Sequence, residues 1–218
     1  EDVEIYSEDK RADVLATFRF LRNQQEKKPG IPNLNLADFI ALKSSGLKDY
    51  IGMFAVTAGI GLEKWTKMYE EELDDYNSIM MKVMSDRLAE AFAELIHEKV
   101  RKEFWRYDKD ENLSIEGLLK EQYQGIRPAP GYPACPEHSE KRLMFDLLDA
   151  ENKPGVKLTE NFAMYPAASV SGYYFAHPLS QYFNVGNIGE DQVEDYAKRK
   201  GESKEQIEKW LNANLNYK

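Results

Sequence analysis

The chain has 218 residues, of which 42% are hydrophobic and 31% charged, as in an ordinary folded protein. Its net charge of −9 argues against nucleic-acid binding, and no apolar run approaches the roughly 18 residues of a membrane span. A single cysteine excludes an internal disulfide and favours a reducing, cytoplasmic location.

The first residues alternate between polar and apolar from residue 3 to residue 6, which predicts a short strand. This strand has no lead-in, so the sequence predicts a fragment of a longer chain. Ser7 is a candidate N-cap for a helix, and residues 50–57 form a β-rich apolar run that predicts a buried strand. The apolar stripe predicted for the helix after Ser7 consists of Val14, Leu15, Phe18 and Leu21.

The strongest helical pattern runs from about residue 63 to residue 105. Its apolar residues recur at spacings of three to five, which predicts one long helix with one buried face. The residues of this predicted stripe are Leu73, Tyr76, Met80, Val83, Leu88, Ala91 and Leu95.

The second half of the chain mixes helical and strand-like patterns. Residues 114–123 and 142–150 are predicted to be helical, and residues 157–165 to be extended. Residues 169–175 and 181–185 have strand composition and are predicted to pair around a His-Pro turn.

Two short helices are predicted at the end of the chain, the second with a capping box at Ser203 and Gln206. Strands and helices follow one another without regular β-α alternation. We therefore predict an α+β fold, a single domain over residues 1–218 with a mainly antiparallel twisted sheet and several helices.

Motifs for common catalytic and metal sites fail on inspection. Gly59 and Gly61 lie where a dinucleotide fingerprint would begin, but the third glycine is replaced by Lys64. Cys135 and His138 have metal-compatible spacing without the second cluster that zinc requires. A Cys135 nucleophile with a histidine base stays a minor alternative. No catalytic residue and no metal ligand is assigned.

Residues 127–138 read RPAPGYPACPEH and are here named the proline loop. Its prolines exclude a helix and disfavour a sheet ladder, so the segment is stiff and irregular. Arg127 can grip a carboxylate through two hydrogen bonds, and Tyr132 offers an aromatic face. Ala129 has a backbone N–H between two prolines, and Gly131 allows close approach or a positive φ. A rigid surface loop whose arginine pairs with a nearby acid explains the same residues equally well.

Several segments together resemble one known family, the activation domain of cobalamin-dependent methionine synthase. The proline loop matches its Arg-x-x-x-Gly-Tyr consensus for binding S-adenosylmethionine. The resemblance covers essentially the whole chain, through the segments LADFIA, DYIGMFAVT, DDYNSIM, DRLAEAFAE, YQGIRPAPGYPACPEH, KLTENFAMYPAASVSGYYFAHP and DQVEDYAKRKG.

The resemblance implies roles for individual residues. Arg127 would hold the carboxylate of S-adenosylmethionine, Ala129 would present backbone groups to the adenine, and Gly131 with Tyr132 would shape the pocket. An aromatic pair of the family falls on Tyr182 and Phe183. Acidic family positions near the ligand and the cobalamin face fall on Glu90 and Glu121.

The function implied is the reactivation of cobalamin in a methyltransferase of methionine biosynthesis. S-adenosylmethionine would donate a methyl group to cobalamin while a flavodoxin-type protein supplies an electron. The chain lacks the family's Asp-x-His-x-x-Gly cobalamin motif, so cobalamin would be held by another domain, the expected partner. The alternative is a free-standing S-adenosylmethionine-binding protein that docks a separate cobalamin protein.

Overall fold

Six α-helices and six strands are defined in the computed structural model, which describes residues 1–7 and 12–217. The strands are β1 (Asp2–Tyr6), β2 (Val14–Arg19), β3 (Gly52–Thr57), β4 (Lys157–Leu158), β5 (Met164–Tyr165) and β6 (Ser169–Tyr174). The helices are α1 (Leu62–Glu71), α2 (Asp75–Lys99), α3 (Ile115–Leu119), α4 (Glu140–Leu148), α5 (Glu190–Lys200) and α6 (Lys204–Trp210). None of the described helices combines the length and the apolar character that crossing a membrane requires.

The strands pair two by two, as β1 with β2, β3 with β6 and β4 with β5. The first and last of these pairs are antiparallel. The α+β class is confirmed, while the described strands lie in three small sheets rather than in one larger one.

The helix predicted after Ser7 is wrong, because residues 14–19 form strand β2. Val3 of β1 lies opposite Phe18, and Ile5 lies opposite Ala16. Ala16 and Phe18 are buried, so one face of the strand is covered in the two-residue period of a strand. The apolar stripe predicted here fitted a helix by spacing, but the neighbouring strand decided the conformation.

The chain forms two compact units, each built from several segments. The first unit comprises Glu1–Gly52, Gly125–Leu143 and Phe175–Lys218, and the second comprises Met53–Gln124 and Met144–Tyr174. The first unit has a core of buried apolar residues from α5, α6 and the segments beside them. This core contains Leu21, Val185, Ile188, Val193, Tyr196, Ala197, Ile207 and Leu211.

The second unit has a core in which α2 packs against β3 and β6. Phe54 and Tyr174 stack with ring centroids 4.8 Å apart, and the His97 ring stacks on Tyr174 at 5.0 Å. A π-helical turn at Val100–Phe104 follows α2 and carries the buried Arg101. Its guanidinium forms an ion pair with the buried Glu111. Each buried charge therefore has a partner, whereas an unpaired buried charge would destabilise the fold.

The long predicted helix is interrupted, and its predicted buried stripe is wrong. Leu73 has a φ of 58° between α1 and α2, where Asp74 caps the second helix by accepting from the Asn77 N–H. The buried face of α2 instead carries small residues and one histidine, because only short side chains allow the helix to approach the core closely. These residues are Ser78, Ser85, Ala89, Ala93 and His97. Leu88 of the predicted stripe is 60% exposed.

The pairing predicted for residues 169–175 with residues 181–185 is also wrong. β6 pairs with β3, and residues 181–185 are neither helix nor strand. The predicted helix starts near α3 and α6 are confirmed, since Ser114 and Ser203 accept hydrogen bonds from the backbone N–H groups of Gly117 and Gln206.

Candidate functional site

The proline loop is stiffened by hydrogen bonds among its own backbone groups. The Ala129 carbonyl accepts from the Tyr132 N–H at 3.1 Å, and the Tyr132 carbonyl accepts from the Cys135 N–H at 2.9 Å. The Gly131 N–H donates to the Cys135 carbonyl at 2.8 Å. Together with the fixed φ of its prolines, these bonds hold the loop in one shape.

Both sides of the loop are tied to the rest of the first unit. Ile126 and Phe175 exchange two backbone hydrogen bonds, each of 3.0 Å. The Pro133 carbonyl accepts from the Val185 N–H at 2.8 Å, and Val185 belongs to the buried core. The loop is therefore a fixed surface feature, suited to recognition by preformed groups.

Arg127 and Tyr182 meet at the start of the loop. The Arg127 N–H donates to the Tyr182 phenolic oxygen at 3.1 Å, although 55 residues separate them. Tyr182 is 41% exposed and Tyr132 is 60% exposed, so both rings present part of a face to solvent. An arginine next to a partly exposed tyrosine, on a loop that carries a second one, suits a ligand with a carboxylate and a planar heterocycle.

Gly131 is required by the loop itself. Its φ of 96° lies in the region that favours glycine. A Cβ at this position would lie 2.1 Å from Cε1 of the His138 ring, far inside van der Waals contact. The space that glycine leaves open is thus filled by His138.

Phe183 differs from Tyr182 in its surroundings. It is partly buried and packs against the core of the first unit. Its ring also meets Phe39 edge-on, with centroids 6.5 Å apart. The structure therefore gives Phe183 a packing role, and its contact with a ligand stays a prediction.

The two predicted acidic residues lie in the second unit. Glu90 is exposed on α2, next to the buried Ala89. Glu121 is exposed just after α3, and its φ of 51° is uncommon for a residue other than glycine. Their roles near a ligand or cobalamin stay predictions.

Comparison with known proteins gives the family. The family profile described as the activation domain of vitamin B12 dependent methionine synthase matches residues 1–201. The chain belongs to this family. The activation-domain chain is also similar to a solved structure described as "Crystal Structure of the MetH Reactivation Domain bound to AdoHcy". The two share 56% sequence identity with a TM-score of 0.97, over 100% of this chain and 66% of that chain.

The nucleophile alternative for Cys135 of this activation-domain chain is not supported. The thiol is buried and donates to the Ala129 carbonyl at 2.9 Å. Burial, with smaller contributions from Glu140 and Glu137, raises the pKa of Cys135 well above its usual range, so the reactive thiolate is suppressed. In residues 1–7 and 12–217, no three His, Cys, Asp or Glu side chains form a group suited to a metal ion.

A buried ion network behind the loop was missed by the sequence reasoning. The Lys200 ammonium lies 3.0 Å from a carboxylate oxygen of Glu137 and 2.5 Å from one of Glu140. Glu137 also accepts from the Ser139 hydroxyl at 2.7 Å and from the Tyr196 hydroxyl at 3.2 Å. The only sequence signal was a pair of glutamates three residues apart, which is common on exposed helix faces.

Open hollows of about 270 and 360 Å³ lie beside β1 rather than at the proline loop. Their linings include exposed ion pairs such as Lys43 with Glu4. The proline loop is the better candidate site, because a rigid backbone, an arginine and exposed aromatic rings converge there.

Proposed function

We propose that this chain binds S-adenosylmethionine at the proline loop and presents its methyl group to cobalamin held by another domain. The observation that carries the proposal is the rigid Arg127–Tyr182 arrangement in a chain of the activation-domain family. The similar solved structure is described as bound to AdoHcy, the molecule that S-adenosylmethionine becomes on losing its methyl group.

The carboxylate and the adenine of the ligand each have a chemically suitable group on the loop or beside it. The Arg127 guanidinium is suited to the ligand carboxylate, because its planar fork can form two charge-assisted hydrogen bonds. The exposed rings of Tyr132 and Tyr182 offer faces for the adenine. Gly131 and Ala129 supply the fixed backbone between them.

The proposed reaction needs no general base in this chain. Cobalamin held by another domain would, once reduced by an electron from a flavodoxin-type donor, be the acceptor of the sulfonium methyl group, and this chain would hold S-adenosylmethionine before the transfer and S-adenosylhomocysteine after it. The sulfonium charge activates the methyl group, so the protein supplies positioning and electrostatics. This chain spans 66% of the length of the similar solved chain. The cobalamin domain and the electron donor are proposed as its partners.

Calorimetric titration with S-adenosylhomocysteine tests the ligand part of the proposal. We expect binding to the wild-type chain and clearly weaker binding to Arg127→Ala. Lys198→Ala removes an exposed positive charge elsewhere in the first unit and serves as the matched control. Absence of binding to the wild-type chain, or equal binding by Arg127→Ala, would contradict the proposal.

An absorbance assay tests the reactivation part. We expect cob(II)alamin to convert to methylcobalamin only when the chain, S-adenosylmethionine, a reductant and a cobalamin-loaded partner domain are all present. The chain alone should not methylate homocysteine. Efficient homocysteine methylation by this chain without a partner would overturn the assignment.

A further inference from the structure

Cys135 and His138 lie near the C-terminal end of the proline loop, and the proposed function gives neither of them a role. The Cys135 thiol donates to the Ala129 carbonyl at 2.9 Å. The His138 ring fills the space over Gly131 that a Cβ would occupy. Each side chain thus holds one of the two backbone positions assigned to the ligand.

We propose that Cys135 and His138 are positioning residues that hold Ala129 and Gly131 in the ligand-binding geometry. This inference rests on the proposed function, because it concerns the same site. It explains the Cys-x-x-His pattern without a metal ion and without a nucleophile.

The role of Cys135 follows from the bonds at Ala129. The Ala129 carbonyl accepts from both the Tyr132 N–H and the Cys135 thiol, which uses its two lone pairs within the loop. The Ala129–Pro130 peptide is therefore held in one orientation, beside the Ala129 N–H that is proposed to meet the adenine. The Cys135 side chain that donates the second of these bonds is buried.

The role of His138 follows from its bond to Lys141. The Lys141 ammonium lies 3.0 Å from Nδ1 of His138, and an ammonium has no acceptor, so Nδ1 must accept. The histidine is therefore neutral in this arrangement. Protonation would remove the acceptor and place two positive charges side by side, which would drive the ring away from Gly131.

The surrounding charges make this arrangement sensitive to pH. Burial and the Lys141 charge lower the pKa of His138 from its ordinary 6.5, while Glu137 acts in the opposite direction. Glu137 is itself held by Lys200, which also pairs with Glu140. Because the folded pKa of His138 lies below 6.5, the free energy by which the neutral ring stabilises the loop is fully present above about pH 6.5 and is lost as the pH falls from there through the lowered folded pKa.

The test is calorimetric titration with S-adenosylhomocysteine, with a melting curve for each variant. We expect Cys135→Ala to weaken binding about three- to tenfold, the loss of one hydrogen bond, and Cys135→Ser to restore most of it. We expect wild-type affinity to fall severalfold between about pH 7.5 and about pH 5.5. His138→Asn keeps an acceptor without titrating, so its affinity should be nearly constant over that range.

Lys198→Met, an exposed change in the same unit, is the control and should follow the wild-type pH profile. Equal affinity of Cys135→Ala, Cys135→Ser and the wild type would overturn the role of Cys135. A wild-type affinity that is independent of pH, or a fall that persists in His138→Asn, would overturn the role of His138. If the wild-type chain does not bind the ligand at any pH, the proposed function itself fails.

Discussion

The Arg127 N–H donates to the phenolic oxygen of Tyr182 at 3.1 Å, and this bond joins the proline loop to a segment 55 residues further along the chain. It sets the direction of the Tyr182 ring relative to the start of the loop. The ring therefore stands beside the arginine proposed to hold the ligand carboxylate.

Tyr182→Phe keeps the ring and removes the acceptor. We expect binding of S-adenosylhomocysteine to weaken about three- to tenfold, because the ring is then no longer held in place. Stability should change little, since the bond lies at the surface. Tyr50→Phe, at another exposed tyrosine, is the control in the same titrations. A lower melting temperature with unchanged affinity would assign the bond to folding instead.

Arg127→Ala should weaken binding by about 1.5–3 kcal/mol, the value for a hydrogen bond to a charged group. Arg127→Lys should recover part of this loss, because the charge remains and the planar fork is lost. Calorimetric titration of both variants at two salt concentrations measures the contribution of the charge and that of the bidentate geometry. Full recovery by lysine would show that charge alone, without bidentate geometry, accounts for binding.

An unfavourable φ alone costs about 1–3 kcal/mol. Gly131→Ala should lower the free energy of unfolding by more than this, because its Cβ would also clash with the His138 ring. Gly201→Ala is the matched control, since Gly201 has a φ of 75° and nothing within 4 Å of a Cβ. Denaturant unfolding of both variants isolates the contact. The double variant Gly131→Ala, His138→Ala should recover the excess loss; without such recovery, the clash is not its cause.

Substitutions on the two faces of α2 should differ in how much they change the free energy of unfolding. Leu88→Gln, on the exposed face, should change the free energy of unfolding by less than about 0.5 kcal/mol. Ala93→Leu, at a fully buried position, should cost about 1–3 kcal/mol by overpacking. Glutamine and leucine have similar helix propensity, so urea unfolding compares packing alone. A large loss of unfolding free energy in Leu88→Gln would show that Leu88 is buried, as the sequence predicted.

Lys200→Met leaves Glu137 and Glu140 buried without their cation and should cost about 3–5 kcal/mol at neutral pH. Burial raises the pKa of Glu140, and Lys200 opposes this rise. Without the lysine that pKa rises further, and a carboxyl with a raised folded pKa costs stability progressively as the pH rises from its unfolded pKa to its folded pKa. The loss in Lys200→Met should therefore shrink as the pH falls from about 7 to about 5.

Lys204→Met is the matched control, because Lys204 also pairs with two glutamates but at the surface. It should cost no more than about 1 kcal/mol. Urea unfolding at both pH values makes the comparison. A cost for Lys200→Met that is as small as the control's, or independent of pH, would contradict the buried network.

The sequence alone predicted the α+β class, a helix that begins near residue 114, the cap at Ser203, and the strands of residues 3–6 and 50–57. These features depend on local propensity and periodicity, which a single segment contains. The sequence also led to the proline loop as the candidate site. Its prolines and the Arg-x-x-x-Gly-Tyr consensus are contiguous in the chain, so they can be recognised without the tertiary structure.

Only the tertiary structure decided the conformation of β2, the buried face of α2 and the bonds across the site. Residues 14–19 fit a helix and a strand equally by spacing, and pairing with β1 decided between them. The small residues of α2 are buried because the core admits a helix only at close range, a preference that hydrophobicity does not reveal. The bond from Arg127 to Tyr182 joins residues far apart in the chain, so no local pattern contained it.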